Sequence, residues 1–317
     1  MILKILRPGI FTTFQDKGRF NVQYMGISPG GCMDYGLFIL NNKLLNNDEN
    51  TGLIEFAYQG PELLLEDGRI KFAITGDVYF KIKSKTKKEI IGVPNRTYEL
   101  NKGEILDILA TKNSVYGYLG FEGGIKLESF YSSISSQVRS GIGPNNGKKI
   151  EKDYKIFLKQ ESSTTTNTIL DNFKLEKKSI FNVIEGPQIN YFSENSKKEF
   201  FSKSFKVTNQ TDRMGMRLVG SPLENIKSSN ISSEAIIKGA IQVPGDGNPI
   251  ILLNDHQTTG GYPKIASVIS SDLDCLVQTI PSKDIFFKKI SVDEAENLFH
   301  LYLDAINALS KKIKKID

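Results

Sequence analysis

The sequence predicts a mainly β protein with a few helices. From residue 55 to residue 121, short runs rich in β-branched and aromatic residues recur about every ten residues, separated by Gly, Pro and Asn. This spacing favours a β-barrel or sandwich over alternating βαβ units. The clearest helix is predicted near the C-terminus, over residues 291–314, where Ser291 and Glu294 form a capping box ahead of apolar residues at helical spacing.

Length and composition fit an ordinary soluble protein of about two domains. The chain has 317 residues, 39% hydrophobic and 24% charged, and its formal net charge of +5 comes from lysines spread along the sequence. Such an even distribution argues against nucleic-acid binding. Two cysteines and no apolar run near the ~18 residues of a membrane helix predict a cytoplasmic protein without membrane association, although export by another route stays open.

The N-terminal half opens with a predicted strand at 1–6, followed by the polar loop GIFTTFQDKGRF at 9–20. Asp16 and Arg19 flank Gly18 there, and a guanidinium can bind a carboxylate or phosphate bidentately. The alternative is a local Asp–Arg pair on a surface turn, which stabilises little. After the loop GISPGGCM, Asp34 is the predicted N-cap of a helix whose leucines recur on one face.

A change of composition near residue 165 predicts the domain boundary. The segment ESSTTTNT at 161–168 is the lowest-complexity polar stretch and the best candidate for a linker. We therefore expect an N-terminal domain at 1–165 and a C-terminal domain at 166–317. In the second domain, TNQTDRMGMRLVG at 208–220 carries Asp212, Arg213 and Arg217, for which ligand binding and a structural ion pair are both open.

The stretch at 239–263 carries the strongest local signal for a site. A strand, a Gly- and Pro-rich turn and the apolar run at 250–253 lead into the polar sequence NDHQTTGGYP. The paired glycines Gly260 and Gly261 let the backbone approach a ligand and present its N–H groups, although a plain tight turn is the alternative. His256 suits acid–base work, or it only hydrogen-bonds within the loop. Further strands are predicted at 265–269 and 273–280.

Several catalytic motifs are absent from the sequence. There is no GxxxxGK[ST] loop for nucleotide phosphates, and neither HExxH nor CxxC for zinc. There is no GxSxG serine elbow. The sequence also lacks the Met-Lys-Met type of segment that carries covalent biotin. We therefore expect no metal site, no nucleotide loop and no biotin on this chain.

Three segments resemble one known family. They are TDRMGMRL at 211–218, GAIQVP at 239–244 with DHQTTGGYPKIASVISSDL at 255–273, and QDKGR at 15–19 with GISPGGCMD at 26–34. Together they resemble the biotin-dependent carboxyltransferase-like family, which includes the C subunit of 5-oxoprolinase, KipA and a region of urea carboxylase similar to allophanate hydrolase subunit 2. The resemblance spans about residues 2–295. The segment RSGIGPNNG at 139–147 departs from the GG-x-x-GR type usual in the family, so no catalytic role is carried over there.

The resemblance implies a fold of two cyclophilin-like β-barrel domains and a function within a larger complex. It implies an ATP-dependent 5-oxoprolinase in which this chain is the C subunit and acts with an A subunit and a KipI-like B subunit to open 5-oxo-L-proline to L-glutamate. The chain alone is expected to be inactive, and any biotin is carried by another protein. Two alternatives stay open: a KipA-like regulator that binds a KipI-type kinase inhibitor, or a carboxyltransferase or hydrolase component acting on urea-type amides.

Under this resemblance, the candidate site residues divide into two groups. Asp255 and His256 are the candidates for moving a proton. The candidates for binding the substrate or nucleotide supply charged side chains, hydroxyl or amide groups, or backbone N–H groups. They are Asp16, Arg19, Arg213, Arg217, Gln257, Thr258, Thr259, Gly260, Gly261 and Tyr262.

Overall fold

The computed structural model describes residues 1–84, 88–159 and 166–316. The chain divides into two compact units, each described separately below. The first comprises residues 1–19 and 30–175 together with the C-terminal residues from Ala305, and the second comprises 20–29 and 176–304. Of the predicted linker at 161–168, residues 161–165 lie outside the described residues, and a strand begins at Asn167.

The described residues form 22 strands. In the first half of the chain these are β1 (Ile2–Arg7), β2 (Phe11–Gln15), β3 (Leu53–Ala57), β4 (Glu62–Leu65), β5 (Arg69–Thr75), β6 (Val78–Lys83), β7 (Ile90–Gly92), β8 (Arg96–Asn101), β9 (Ile105–Thr111), β10 (Tyr116–Phe121) and β11 (Lys155–Phe157). The later strands are β12 (Asn167–Ile169), β13 (Ile180–Glu185), β14 (Phe205–Thr211), β15 (Gly215–Val219), β16 (Glu234–Ala235), β17 (Ala240–Gln242), β18 (Ile250–Leu252), β19 (Thr259–Gly260), β20 (Lys264–Val268), β21 (Asp284–Lys289) and β22 (Lys314–Ile316).

Four α-helices occur in the described part of the chain: α1 (Tyr35–Leu44), α2 (Glu194–Ser202), α3 (Leu273–Val277) and α4 (Val292–Lys311). Asp34 caps α1 as predicted, because its Oδ1 accepts a hydrogen bond of 2.9 Å from the Leu37 N–H. The capping box before α4 is also confirmed: the Ser291 N–H donates to Glu294 Oε2 at 2.8 Å, and the Glu294 N–H donates to Ser291 Oγ at 3.2 Å.

One element prediction was wrong at its end and another was wrong in type. The C-terminal helix ends at Lys311 rather than 314, because residues 314–316 pair with β12 as strand β22. The strand predicted at 273–280 is instead the short helix α3. Its buried residues Leu273, Leu276 and Val277 follow helical i, i+3, i+4 spacing, which a short apolar run does not distinguish from a buried strand.

The first unit is built from two antiparallel sheets. One has the order β11-β1-β4-β9-β6-β7, and the other has the order β2-β3-β10-β5-β8-β12-β22. Strands of both sheets supply one buried apolar cluster, which includes Leu3, Phe14, Phe56, Phe72 and Phe80. Alternation of buried and partly exposed residues along β1 matches the pleat of a strand with one face on a core.

The second unit contains a closed barrel in the order β13-β20-β17-β18-β15-β14-β21. The ring closes where β13 pairs in parallel with β21, with Ile180 opposite Phe286. Helix α2 packs on this barrel through Phe200, whose ring stacks on Phe287 at a centroid distance of 4.7 Å. Strands β16 and β19 form a separate two-stranded ribbon.

The mainly β class and the C-terminal helix are therefore confirmed, and one barrel closes with seven strands. In the first unit, the strand pairings give two separate sheets. In the described ranges, every helix is too short or too polar to cross a membrane.

Candidate functional site

Arg213 and Asp255 form a bidentate ion pair in the second unit. Arg213 lies in the turn between β14 and β15, and its Nε and Nη2 each donate to one Asp255 oxygen at 2.9 Å. The Asp255 N–H donates back to the Arg213 carbonyl at 2.8 Å. Only 3% of the Arg213 side chain and 11% of the Asp255 side chain are exposed. The geometry favours a structural ion pair for Arg213, and its partner is Asp255, which was itself a candidate proton carrier.

Asp212 has a local role in the same turn. Its Oδ1 accepts hydrogen bonds from the Met214 N–H at 2.8 Å and the Gly215 N–H at 3.2 Å. An aspartate that binds the backbone two residues on is typical of turns. Asp212 therefore shapes the turn that presents Arg213.

His256 follows Asp255 and is 2% exposed. Its Nδ1 lies 2.6 Å from the Gln257 carbonyl oxygen. A carbonyl oxygen only accepts, so Nδ1 carries the proton and Nε2 is the acceptor of the neutral ring. Burial is the main cause that lowers the pKa of His256 below its ordinary value, and Lys238 lowers it further against the opposing effects of the Gln257 carbonyl and Asp255. The ring is therefore neutral at pH 7.

The segment TTGGY packs as a ribbon against residues 231–236. Strand β19 pairs with β16, the Thr258 carbonyl accepts from the Ile236 N–H at 3.1 Å, and the Gly261 carbonyl accepts from the Ile231 N–H at 2.8 Å. A Cβ on Gly260 would lie 2.3 Å from Ile236 Cδ1. A methyl group at position 260 would therefore displace the end of the Ile236 side chain, whereas binding of a ligand by the Gly260 N–H group stays a prediction.

The exposed side chains of this segment are Gln257, Thr259 and Tyr262, of which Tyr262 is 40% exposed. Thr258 is half-buried. Among the candidates from the 255–262 segment, these are the side chains that present polar atoms at the surface of the second unit.

The sequence analysis did not select Lys264, a buried lysine that follows this segment. Lys264 is 5% exposed, and its Nζ donates to Glu234 Oε1. The same oxygen accepts from Gln188 Nε2 at 2.7 Å, and Gln188 Oε1 accepts from the Lys264 N–H at 3.2 Å. The Lys264 ammonium holds the pKa of the Glu234 carboxyl below its ordinary value. A lysine at the head of the apolar strand KIASV is the sequence signal that would have found this network.

Arg217 lies apart from the Arg213–Asp255 pair. It sits on β15 opposite Ile250, and its Nη1 is 3.7 Å from Asp246 Oδ2 in the turn between β17 and β18. The Arg217 side chain is 41% exposed. Asp246 precedes β18, whereas Asp255 follows it. Arg217 therefore forms a loose surface ion pair of the kind that stabilises little.

In the first unit, Asp16 organises a serine-rich segment. Its Oδ1 accepts from the Gly18 N–H at 2.8 Å and from the hydroxyls of Ser133 and Ser135, both at 2.6 Å. Its Oδ2 accepts from the Ile134 N–H at 2.8 Å. None of these donors is Arg19, so the expected alternative of a local surface pair with Arg19 is wrong. The cluster SSISS, which was not selected as a site, supplies the partners.

Arg19 is fully buried and binds the same segment. Its Nε donates to the Phe130 carbonyl at 3.1 Å, and its Nη2 donates to the Ser135 carbonyl. Its Nη1 and the Gln137 amide both lie 3.4 Å from the place where a Cβ on Gly30 would stand. The GGCMD segment therefore approaches Arg19 at Gly30, which has no side chain. Arg19 and Asp16 together hold one polar cluster within the first unit.

Comparisons with known proteins agree with this architecture. The family model described as "Carboxyltransferase domain, subdomain A and B" matches residues 25–289. The C subunit of the 5-oxoprolinase of Haemophilus influenzae is 32% identical over 300 residues, which cover 94% of this chain and 95% of that protein. The corresponding 5-oxoprolinase C subunit of Escherichia coli is 30% identical over 93% of both chains.

A solved structure gives a similar result for the fold. The K. lactis urea amidolyase structure matches 97% of this chain with a TM-score of 0.86 at 26% identity. The matched region is 20% of that longer chain. The similarity therefore concerns one segment of the amidolyase.

Replacing Arg213 tests the buried ion pair. Arg213→Ala leaves Asp255 without its counter-charge, so we expect the free energy of unfolding to fall by about 3–5 kcal/mol. Arg217→Ala is the matched control, because its exposed pair predicts a change within about 0.5 kcal/mol. Urea denaturation of both variants measures the difference. Equal stability of the two variants would contradict the assignment.

The buried imidazole predicts a pH dependence of stability. The pKa of His256 is lower in the folded than in the unfolded chain, so the unfolded chain binds the proton first as pH falls. Stability is therefore complete above about pH 6.5 and decreases below it, by at most about 1.4 kcal/mol per pH unit. Between pH 7 and pH 5, the free energy of unfolding of His256→Gln should no longer show this decrease. The control variant His300→Gln replaces an exposed histidine and should still show it. Chemical denaturation across that range is the measurement, and an unchanged slope in His256→Gln would refute it.

Gly260→Ala tests the packing of the ribbon. The added methyl group meets Ile236 Cδ1 at 2.3 Å and Gln242 Nε2 at 2.8 Å, so we expect a loss of about 1–3 kcal/mol. Ile236→Val removes Cδ1, and the double variant should regain much of that stability. Thermal and urea denaturation of the single and double variants give the comparison. Failure of Ile236→Val to restore stability would show that another contact sets the requirement for glycine.

Proposed function

Because the chain belongs to the family of carboxyltransferase domains, subdomains A and B, we propose that it is the C-type subunit of an ATP-dependent 5-oxoprolinase. It acts with A-type and B-type subunits to open 5-oxo-L-proline to L-glutamate. The observation that carries the proposal is similarity over 95% and 93% of the lengths of two bacterial 5-oxoprolinase C subunits. The proposed assembly is a cytoplasmic hetero-oligomer.

We also propose that both units are cyclophilin-like β-barrel domains. The closed seven-stranded ring of the second unit supports this, as do the two packed antiparallel sheets of the first.

The chemistry of the reaction suits the groups of the second unit. The lactam carbonyl is a poor electrophile. Transfer of the terminal phosphoryl group of ATP to its oxygen, with release of ADP, activates the carbonyl carbon. Attack by water then breaks the ring C–N bond, whose nitrogen takes up a proton, and releases inorganic phosphate. That step needs a proton acceptor for the water. Both Asp255 oxygens are bound by Arg213, whereas the neutral His256 ring, with its proton on Nδ1, has its acceptor atom at Nε2. We therefore assign proton transfer to His256 and the positioning of its loop to Asp255 and Arg213.

Binding of the substrate carboxylate calls for polar donors near that imidazole. Gln257, Thr259 and Tyr262 are exposed on the same segment and can donate hydrogen bonds. The buried Lys264 with Glu234 and Gln188 fixes the strand that follows them. Gln257, Thr259 and Tyr262 hold the substrate in this proposal, while the Arg213–Asp255 and Lys264–Glu234 ion pairs keep the segment in place.

A second candidate is a carboxyltransferase component that acts on urea-type amides. The observation in its favour is the TM-score of 0.86 to the urea amidolyase over 97% of this chain. Such a component requires a biotin carrier on another protein. The two candidates differ in substrate and in the need for biotin, so one assay separates them.

Reconstitution with the A-type and B-type subunits tests the proposal. We expect ATP hydrolysis that depends on 5-oxoproline in the three-subunit mixture, and none from this chain alone. In the complete mixture, His256→Gln should lower kcat by about 10²-fold or more, since a positioned general base contributes that much. His300→Gln should behave as the wild type, and co-elution of the three proteins controls for assembly.

Two results would overturn the assignment. One is 5-oxoproline turnover by the isolated chain. The other is turnover that depends on urea and a biotinylated carrier but not on 5-oxoproline, which would establish the second candidate.

A further inference from the structure

The first unit contains a surface cleft that none of the residues assigned above lines. Its volume is about 450 Å³, within the range of small-molecule sites. We call it the lysine cleft, because three of its lining residues are lysines. The lining residues are Pro8, Gly9, Ile10, Thr12, Val138, Lys148, Lys149, Ile150, Glu151 and Lys152.

Hydrogen bonds fix the floor of the lysine cleft. Thr12 Oγ1 donates to the Pro8 carbonyl at 2.5 Å, and the Ile150 N–H donates to the Thr12 carbonyl at 2.9 Å. Gly9 has a φ of +80°, and a Cβ there would lie 2.4 Å from the Gln59 carbonyl oxygen. Backbone and hydroxyl hydrogen bonds thus hold the segment 8–12 in place and connect it to Ile150. The shape of the cleft therefore does not depend on a bound ligand.

The residues that line the cleft carry a net positive charge. Across the described ranges, none of Lys148, Lys149 and Lys152 forms an ion pair, and Lys149 Nζ lies 5.4 Å from the centre of the Phe11 ring. The neighbouring Asp153 is paired with Lys4 at 2.9 Å. Glu151 is the one acidic residue of the lining, so the lining holds three lysines and one carboxylate.

We propose that the lysine cleft binds a small organic anion that carries at least two negative charges on phosphate or carboxylate groups. Lysine ammonium groups are compact point charges that suit both kinds of group. The apolar side chains of Pro8, Val138 and Ile150 contact the carbon skeleton of the ligand. Net positive charge above a preformed apolar floor is the combination that selects such a molecule over a neutral one.

Titration calorimetry on the full chain at low ionic strength tests the site, with inorganic tripolyphosphate and citrate as probes. The cleft variant is Lys148→Ala/Lys149→Ala/Lys152→Ala. The control variant Lys311→Ala/Lys312→Ala/Lys315→Ala removes the same charge from the C-terminal segment. A third variant, Val138→Trp, fills the cleft without changing charge.

We expect the wild type and the control variant to bind a probe with equal affinity, and both the cleft variant and Val138→Trp to bind it at least tenfold more weakly. Tighter binding of tripolyphosphate identifies a phosphate ligand and tighter binding of citrate a carboxylate; either result supports the site. Absence of binding to the wild type overturns the proposal. Equal weakening in both lysine variants overturns it too, because it assigns the binding to overall charge. The titrations need no partner protein, so their outcome is independent of the proposed activity.

Discussion

The buried pair of Arg213 and Asp255 is the contact on which the arrangement of the second unit's loops depends. It ties the turn between β14 and β15 to the segment that follows β18, with two charge-assisted hydrogen bonds and one backbone bond. Taking both charges out of water is costly, and only matched, bidentate geometry offsets that cost. The polar segment 255–262 therefore begins at a residue whose position is fixed, and this also restricts the position of His256, the next residue.

Several charged residues that the sequence suggested as ligand-binding groups instead form hydrogen bonds and ion pairs within the fold. Asp16 and Arg19 hold the serine-rich segment of the first unit, and Arg213 and Asp255 hold each other. A buried charge must be paired or hydrogen-bonded, so a dense polar sequence can mark an internal network as easily as a binding surface. Among the candidates of the 255–262 segment, the exposed side chains are the uncharged Gln257, Thr259 and Tyr262.

Beyond the mainly β class and the family, the structural details that the sequence predicted correctly were local. The cap of α1 and the capping box of α4 each depend on residues three apart, and these were confirmed. The serine-segment partners of Asp16, which are Ser133, Ile134 and Ser135, lie more than 110 residues away, and the partner of Arg213 lies 42 residues away, so spacing could not find them. The strand at 314–316 was missed for the same reason, because it exists only through pairing with β12.

The parallel pairing of β13 with β21 has a consequence for biosynthesis. The barrel closes only when residues 180–183 meet residues 286–289, so the ring stays open until nearly the whole second unit has left the ribosome. During that interval β13 presents an unpaired edge, and such edges are sites of aggregation. Closing a loop of this length is also slow. Slower elongation before residue 284 should prolong that exposure in the cell, and holdase chaperones that shield strand edges should raise the yield of folded protein.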